Sequence, residues 1–251
     1  LDQLDPADRQ QAQAAIDGLK TAVAEHQKWL DETLVPNAKG EFRVGAEVYD
    51  QKLQFALLSS LSRAEIKQRA EAELVRVRGE MYAIAQQVLK DTAGAPELPD
   101  NPSPQQQQKA IEAALELAYA QHPARDQVVA DARVALDRAT AFVREHDLVT
   151  LPDAPVEIIE MPEFQRGVAV AYADSPGPLD KNLKTFYAVS PMPEDWTDAQ
   201  VESFLREYNS RMIDLLSIHE GTPGHYPEGW HSAKFPSTLR GVLRSGMFAE
   251  G

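Results

Sequence analysis

Apolar residues recur at close to helical spacing over most of the first 148 residues, with polar residues between them. Asp5-Pro6 offers an N-cap followed by a proline in the first turn of a helix. Ser62 and Glu65 have the spacing of a capping box, so a long helix should begin there and run to about Lys90. Its candidate core positions are Ile66, Leu74, Val77, Met81, Ile84, Val88 and Leu89.

The pattern changes at Val149, where prolines become frequent and short apolar runs replace the helical period. Three of these runs, at residues 156–160, 167–172 and 185–189, are typical of β-strands. Thr197 then caps a helix that should run straight into residues 218–225. The sequence therefore predicts a mainly α chain with a small β-sheet, of the α+β class. It divides into a helical region at 1–148 and a sheet-containing region at 149–251, which we expect to form one continuous domain.

Composition narrows the functions that are open to this chain. Its net charge is -14, and so acidic a surface argues against nucleic-acid binding and against docking on anionic membranes. No apolar run is long enough to predict a membrane span. Cysteine is absent, so any metal must be held by His, Asp or Glu. These features fit a secreted or periplasmic protein and a cytoplasmic one equally well.

The segment His219-Glu220-Gly221-Thr222-Pro223-Gly224-His225 contains the residue types of a zincin site. Two neutral imidazoles would bind the metal, and Glu220 would take a proton from a metal-activated water. The histidines are six positions apart instead of the usual four, which places them on different faces of a regular helix. Pro223-Gly224 is suited to loop out the two extra residues. Alternatively, both histidines are ordinary residues at a helix end.

A third ligand should come from downstream, and Glu250 is a candidate 25 residues after His225. It would complete a His2Glu set, although its spacing alone favours an ordinary surface residue.

The seven-residue segment closely resembles the HExxPGH motif of the bacterial domain-of-unknown-function family eight-eight-five, whose members look like zincin peptidases. Residues 41–45, the strand at Phe186-Tyr187 and residues 248–251 resemble the family too, so the likeness covers essentially the whole chain. The resemblance implies a gluzincin architecture, Zn²⁺ as cofactor and Glu250 as the third ligand. Members of the family are longer at both ends, so we expect this chain to be an internal fragment.

Several other residues are weaker candidates with two interpretations each. The side chains of Tyr187, Tyr226 and His231 are candidates for oxyanion stabilisation or for packing. Arg240 and Arg244 either bind a substrate carboxylate or offset the acidic surface. The strand at 167–172 is either an exposed edge that pairs with a peptide or a core strand.

The sequence therefore predicts a zinc metallopeptidase that hydrolyses peptide bonds, with His219, His225 and Glu250 as ligands and Glu220 as general base. Two alternatives stay open. One is a non-catalytic helical binding protein with a vestigial or structural metal site, and the other is a metal-dependent amidase acting on a non-peptide substrate.

Overall fold

The computed structural model describes residues 1–167, 169–177, 179–180, 183–243 and 246–250, without the side chain of Phe248. Contacts divide the chain into two compact units, Leu1–Leu53 and Gln54–Gly251. No helix in the described ranges is both long enough and apolar enough to cross a membrane.

The first unit is helical. Helix α1 (Pro6–Trp29) is capped by Asp5, whose side chain accepts hydrogen bonds from the N–H groups of Ala7 and Asp8. The chain continues through a π-helical turn and a short helix, and then into a third helix that crosses the unit boundary. Their bounds are Leu30–Leu34 for the π turn, Val35–Asn37 for α2 and Gly45–Leu57 for α3.

Three long helices open the second unit. They are α4 (Arg63–Leu89), α5 (Pro104–Tyr119) and α6 (Val128–Glu145). Ser62 and Glu65 form the predicted capping box at the start of α4. Helix α4 packs on α5 around a cluster of buried residues: Tyr82, Ala85, Leu89, Ala110 and Ile111.

Only one of the predicted core positions of α4 is buried. Leu89 lies in the core, whereas Leu74, Met81, Ile84 and Val88 are exposed. The buried contact is made instead by Tyr82 and Ala85, because α5 packs on a neighbouring face of the helix. Apolar periodicity identified the helix, but two apolar faces were available to it.

A three-stranded sheet follows, in the order β1-β3-β2. Its strands are β1 (Glu157–Glu160), β2 (Ala171–Asp174) and β3 (Phe186–Val189). β1 pairs with β3 in parallel and β2 pairs with β3 antiparallel, so β2 is an edge strand. The second predicted strand therefore begins later than expected, and Val168 lies outside the described residues.

The main core joins this sheet to the helices around it. Helix α6 packs against β1, and a later helix, α8 (Ser210–Glu220), packs against both α6 and β2. The buried cluster includes Leu136 of α6, Tyr187 and Val189 of β3, and Ile213 of α8. The sheet and α6 thus provide the platform on which α8 rests.

The last part of the chain is a series of short helices. The expected single helix after Thr197 is in fact two helices, because Asn209 caps a new one with hydrogen bonds from the N–H groups of Arg211 and Met212. The elements are α7 (Asp198–Glu207), α8, α9 (His225–Ala233), α10 (Thr238–Val242) and α11 (Gly246–Glu250).

Candidate metal centre

Helix α8 carries the first two residues of the motif, His219 and Glu220, and is anchored to the core. Its inward face carries Ile213, Ser217 and Glu220, which are spaced by about one helical turn and are buried. The Ser217 hydroxyl donates to the carbonyl of Ala132 on α6 at 3.3 Å, and it lies 3.3 Å from the hydroxyl of Tyr187 on β3. One serine thus links the helix to both layers of the core.

The turn after Glu220 is a complete break between two helices. Helix α8 ends at Glu220, residues 221–224 form a turn, and α9 begins at His225. The Gly224 N–H donates to the carbonyl of Ile218 at 3.0 Å, which closes the turn on the end of α8. Pro227 lies in the first turn of α9, where a proline costs no helical hydrogen bond.

Both glycines of this turn are required by close backbone approach. A Cβ on Gly224 would lie 2.5 Å from the Ile218 carbonyl oxygen and still closer to that of His219. A Cβ on Gly221 would lie 2.6 Å from the Ser217 carbonyl oxygen. The predicted repair of the six-residue spacing therefore involves the whole turn and not only Pro223-Gly224.

The turn brings the two imidazoles together. The ring centroids of His219 and His225 are 4.5 Å apart, with their planes at 73°. The His219 side chain is 47% exposed and that of His225 20% exposed, so neither ring is fully buried. One ligand atom from each of His219, Glu220 and His225 lies within 4.8 Å of the other two.

The carboxylate of Glu250 lies close to both imidazole rings. One of its carboxylate oxygens is 3.4 Å from Nε2 of His219, and the other is 3.5 Å from Nε2 of His225. Helix α11 therefore places its last residue against a motif 25 positions earlier in the chain.

Each distance taken singly is close to the separation of two ligands on one metal ion, and the two distances end on different oxygens of Glu250. Two ligand atoms bound about 2.1 Å from a tetrahedral ion lie about 3.4 Å from each other. The separations of the Glu250 oxygens from Nε2 of His219 and His225 are 3.4 and 3.5 Å. The set contains nitrogen and oxygen ligands and no sulfur, which suits Zn²⁺.

Glu220 differs from Glu250 in its surroundings. Its side chain is buried, and its Oε2 accepts a 2.9 Å hydrogen bond from the backbone N–H of Ala173 on β2. Burial raises the pKa of Glu220, while His225, the Ala173 N–H and His219 each act to lower it. Its second oxygen, Oε1, is not used by the bond to Ala173.

Three of the weaker candidates use their polar atoms elsewhere. Tyr187 is fully buried against Ser217, and burial raises the pKa of Tyr187 to about 12. The Tyr226 hydroxyl donates to the carbonyl of Ala154, and His231 Nε2 lies 2.8 Å from the carbonyl oxygen of Thr150. The Tyr187 hydroxyl is therefore used within the core, and the polar atoms of Tyr226 and His231 contact the loop before β1. None of these three contacts is to the histidine pair.

Arg240 is not brought to the centre either. Arg240 is exposed, and its guanidinium lies 5.2 Å from the centroid of the Phe235 ring. Arg244 lies outside the described residues. The group that sequence reasoning missed is the N–H of Ala173, because a backbone donor leaves no mark in the residue pattern.

Comparison with known proteins identifies a similar solved structure and a matching protein family. A solved structure from Shewanella oneidensis, described as a candidate lipoprotein of unknown function, superposes with a TM-score of 0.68 at 29% sequence identity. The match covers 97% of this chain and 43% of that one, so the chain spans less than half of the relative. A comparison with curated proteins found no match. The family model described as "Bacterial protein of unknown function (DUF885)" matches residues 1–251, and the chain belongs to this family.

Proposed function

We propose that this protein is a zinc-dependent peptidase. In this proposal His219, His225 and Glu250 hold Zn²⁺, and Glu220 is the general base. The observation that carries the proposal is the position of the Glu250 carboxylate, with one oxygen 3.4 Å from Nε2 of His219 and the other 3.5 Å from Nε2 of His225. When bound, Zn²⁺ would polarise the substrate carbonyl and make water acidic enough to ionise near neutral pH.

The environment of Glu220 suits a base. Burial disfavours its charged form and so raises the pKa of the carboxyl, which makes the carboxylate a better proton acceptor. The Ala173 N–H holds Oε2, so a proton from the attacking water goes to Oε1. As the carbon–oxygen bond forms and the carbon–nitrogen bond breaks, the same oxygen passes this proton to the leaving amine.

The edge strand supports a peptide as the substrate. Ser190 donates its N–H to the carbonyl of Val170, so alternate residues of this strand face β3. Ala171 and Ala173 therefore direct their backbone groups away from the sheet, and Ala173 reaches Glu220. The Ala173 N–H is already taken by Glu220, so an extended peptide that paired with the backbone of Ala171 would meet the proposed base at the next outward-facing position.

The Glu220→Gln variant tests the assignment of roles. We expect it to bind one equivalent of zinc, as the wild type does, and to hydrolyse a mixed peptide library at least about a hundredfold more slowly. Zinc content is measured by mass spectrometry and hydrolysis by product analysis. The matched control is Glu145→Gln at the exposed end of α6, which should leave both quantities unchanged.

Each alternative function has its own outcome in this experiment. Loss of zinc from Glu220→Gln would make Glu220 a ligand and not the base. Zinc binding by a wild-type chain that cleaves no peptide but cleaves simple amides would point to an amidase. A wild type that binds no zinc would exclude the peptidase and favour a helical binding protein.

A further inference from the structure

A cavity of about 510 Å³ lies between helix α9 and the ends of the three strands. Tyr226, Gly229 and Trp230 of α9 form one wall, and Ser175-Pro176-Gly177 after β2 forms another. The volume is in the range of pockets that hold small molecules, which is about 300–1,000 Å³. Nothing in the roles proposed above for the metal ligands or the base uses this space.

Two segments of the chain connect the lining of the cavity to the proposed centre. Tyr226 follows His225 directly in α9, so the helix that presents the ligand also lines the cavity. Ser175 lies two residues after Ala173, which is about 7 Å along an extended chain. When a peptide runs beside β2 and passes Glu220, one of its nearby side chains would therefore reach the mouth of the cavity.

The walls combine apolar surface with acidic groups. Leu183, Trp230 and the nearby prolines supply the apolar surface, while Asp153 and Asp180 supply two carboxylates. Lys184 also lines the cavity, but its ammonium pairs with the carboxylate of Glu157. The Lys234 ammonium lies over one face of the Trp230 ring, so a bound side chain would pack on the rest of this ring.

We propose that this cavity binds a lysine or arginine side chain of the peptide substrate, with the aliphatic stem on Trp230 and the cation near Asp153 and Asp180. The inference rests on the proposed function in taking the ligand to be a peptide. Cationic peptides are also the class that a chain of net charge -14 attracts from solution.

Binding of labelled peptides tests this without any turnover. Three fluorescein-labelled alanine-rich peptides differ at one central residue, which is lysine, norleucine or glutamate. Their dissociation constants are measured by anisotropy on the full chain carrying Glu220→Gln, with and without Zn²⁺. We expect the lysine peptide to bind at least about tenfold more tightly than the glutamate peptide, with the norleucine peptide between them.

A double substitution, Asp153→Asn with Asp180→Asn, tests the role of charge. It should remove the preference for the lysine peptide over the norleucine peptide, because both carboxylates become neutral amides. The loop should keep its shape, since Oδ2 of Asp180 accepts a hydrogen bond from the Gly177 N–H and the amide that replaces this carboxylate also carries an acceptor oxygen.

A substitution at Gly229 tests the role of shape. Gly229→Leu should fill the cavity and weaken the binding of both the lysine and the norleucine peptides, since among the described residues a Cβ there would approach only Ser175, at 3.8 Å. Gly79→Leu on α4, where no atom of the described part of the chain lies within 4 Å of the added Cβ, is the matched control and should change neither dissociation constant.

The outcomes distinguish this inference from the proposed function. Equal binding of the lysine and glutamate peptides, or full binding by Gly229→Leu, would overturn the assignment of the cavity even if the wild type hydrolyses peptides. A lysine preference that depends on both aspartates would support the cavity even if the wild type hydrolyses none.

Discussion

The backbone N–H of Ala173 donates a 2.9 Å hydrogen bond to Oε2 of Glu220. This bond joins the edge strand β2 to the last residue of α8, so the sheet helps to position the carboxylate. It also stabilises the ionised form of Glu220 against the effect of burial, which raises its pKa. The orientation of the proposed base therefore depends on an element far from the motif in sequence.

Removing this donor should impair turnover while leaving the metal in place. Ala173→Pro deletes the N–H, and no sheet hydrogen bond is lost, because this N–H faces away from β3. We expect kcat to fall about tenfold or more, since a hydrogen bond to a charged group contributes about 1.5–3 kcal/mol. Ala173→Ser keeps the donor and should retain activity. A Pro variant with normal kcat and intact circular dichroism would show that the bond is dispensable.

The turn between the two histidines should not tolerate a side chain at Gly224. A Cβ there collides with the carbonyl oxygens of Ile218 and His219. Gly224→Ala should lower the free energy of unfolding by about 1–3 kcal/mol and weaken zinc binding, because the turn must shift. Urea unfolding and zinc titration measure the two effects. Gly79→Ala in helix α4 is the matched control and should be neutral or stabilising by up to about 1 kcal/mol.

Glu250 should matter for the metal more than for the fold. Its side chain is 59% exposed, so Glu250→Gln should leave the urea midpoint of the zinc-free protein unchanged. Loss of a charged ligand should weaken zinc binding by more than about tenfold, measured by competition with a chromophoric chelator. Unchanged zinc affinity would remove Glu250 from the proposed ligand set.

Tyr187 should contribute to stability and not to chemistry. Burial raises its pKa to about 12, above the ordinary value of 10.0, so the folded state favours the neutral phenol. The associated stability is complete below pH 10 and should be lost as the pH rises towards 12, by about 2–3 kcal/mol in total. Tyr187→Phe should show a smaller fall in unfolding free energy over this range. A large loss of kcat in this variant at neutral pH would instead assign Tyr187 to the site.

Local signals in the sequence predicted the elements better than their packing. The capping box at Ser62 and the proline-rich change at Val149 gave the start of α4 and the onset of the sheet region. The break at Asn209 was missed because the apolar stripe continues across it, and only the cap shows that a new helix begins. The exposed stripe at Leu74 and Ile84 was assigned to the core because periodicity does not tell which apolar face meets a partner.

The site was predictable to the extent that it lies in one segment. His219, Glu220 and His225 were predicted as a site from residue type, and the turn at Pro223-Gly224 from the backbone properties of these two residues, whereas the close approach at Gly221 was not predicted. The Ala173 N–H and the cavity beside Trp230 arise from strand pairing and from elements distant in the chain, which no local pattern encodes. The position of Glu250 was implied by the family resemblance and not by its own spacing.

The most direct test is a crystal structure of the chain with Zn²⁺, with anomalous data collected on both sides of the zinc absorption edge. We predict one peak about 2.0–2.2 Å from Nε2 of His219, Nε2 of His225 and a carboxylate oxygen of Glu250. A zinc-loaded crystal with no peak between the two imidazoles, or with a peak bound to only one of them, would contradict the metal centre.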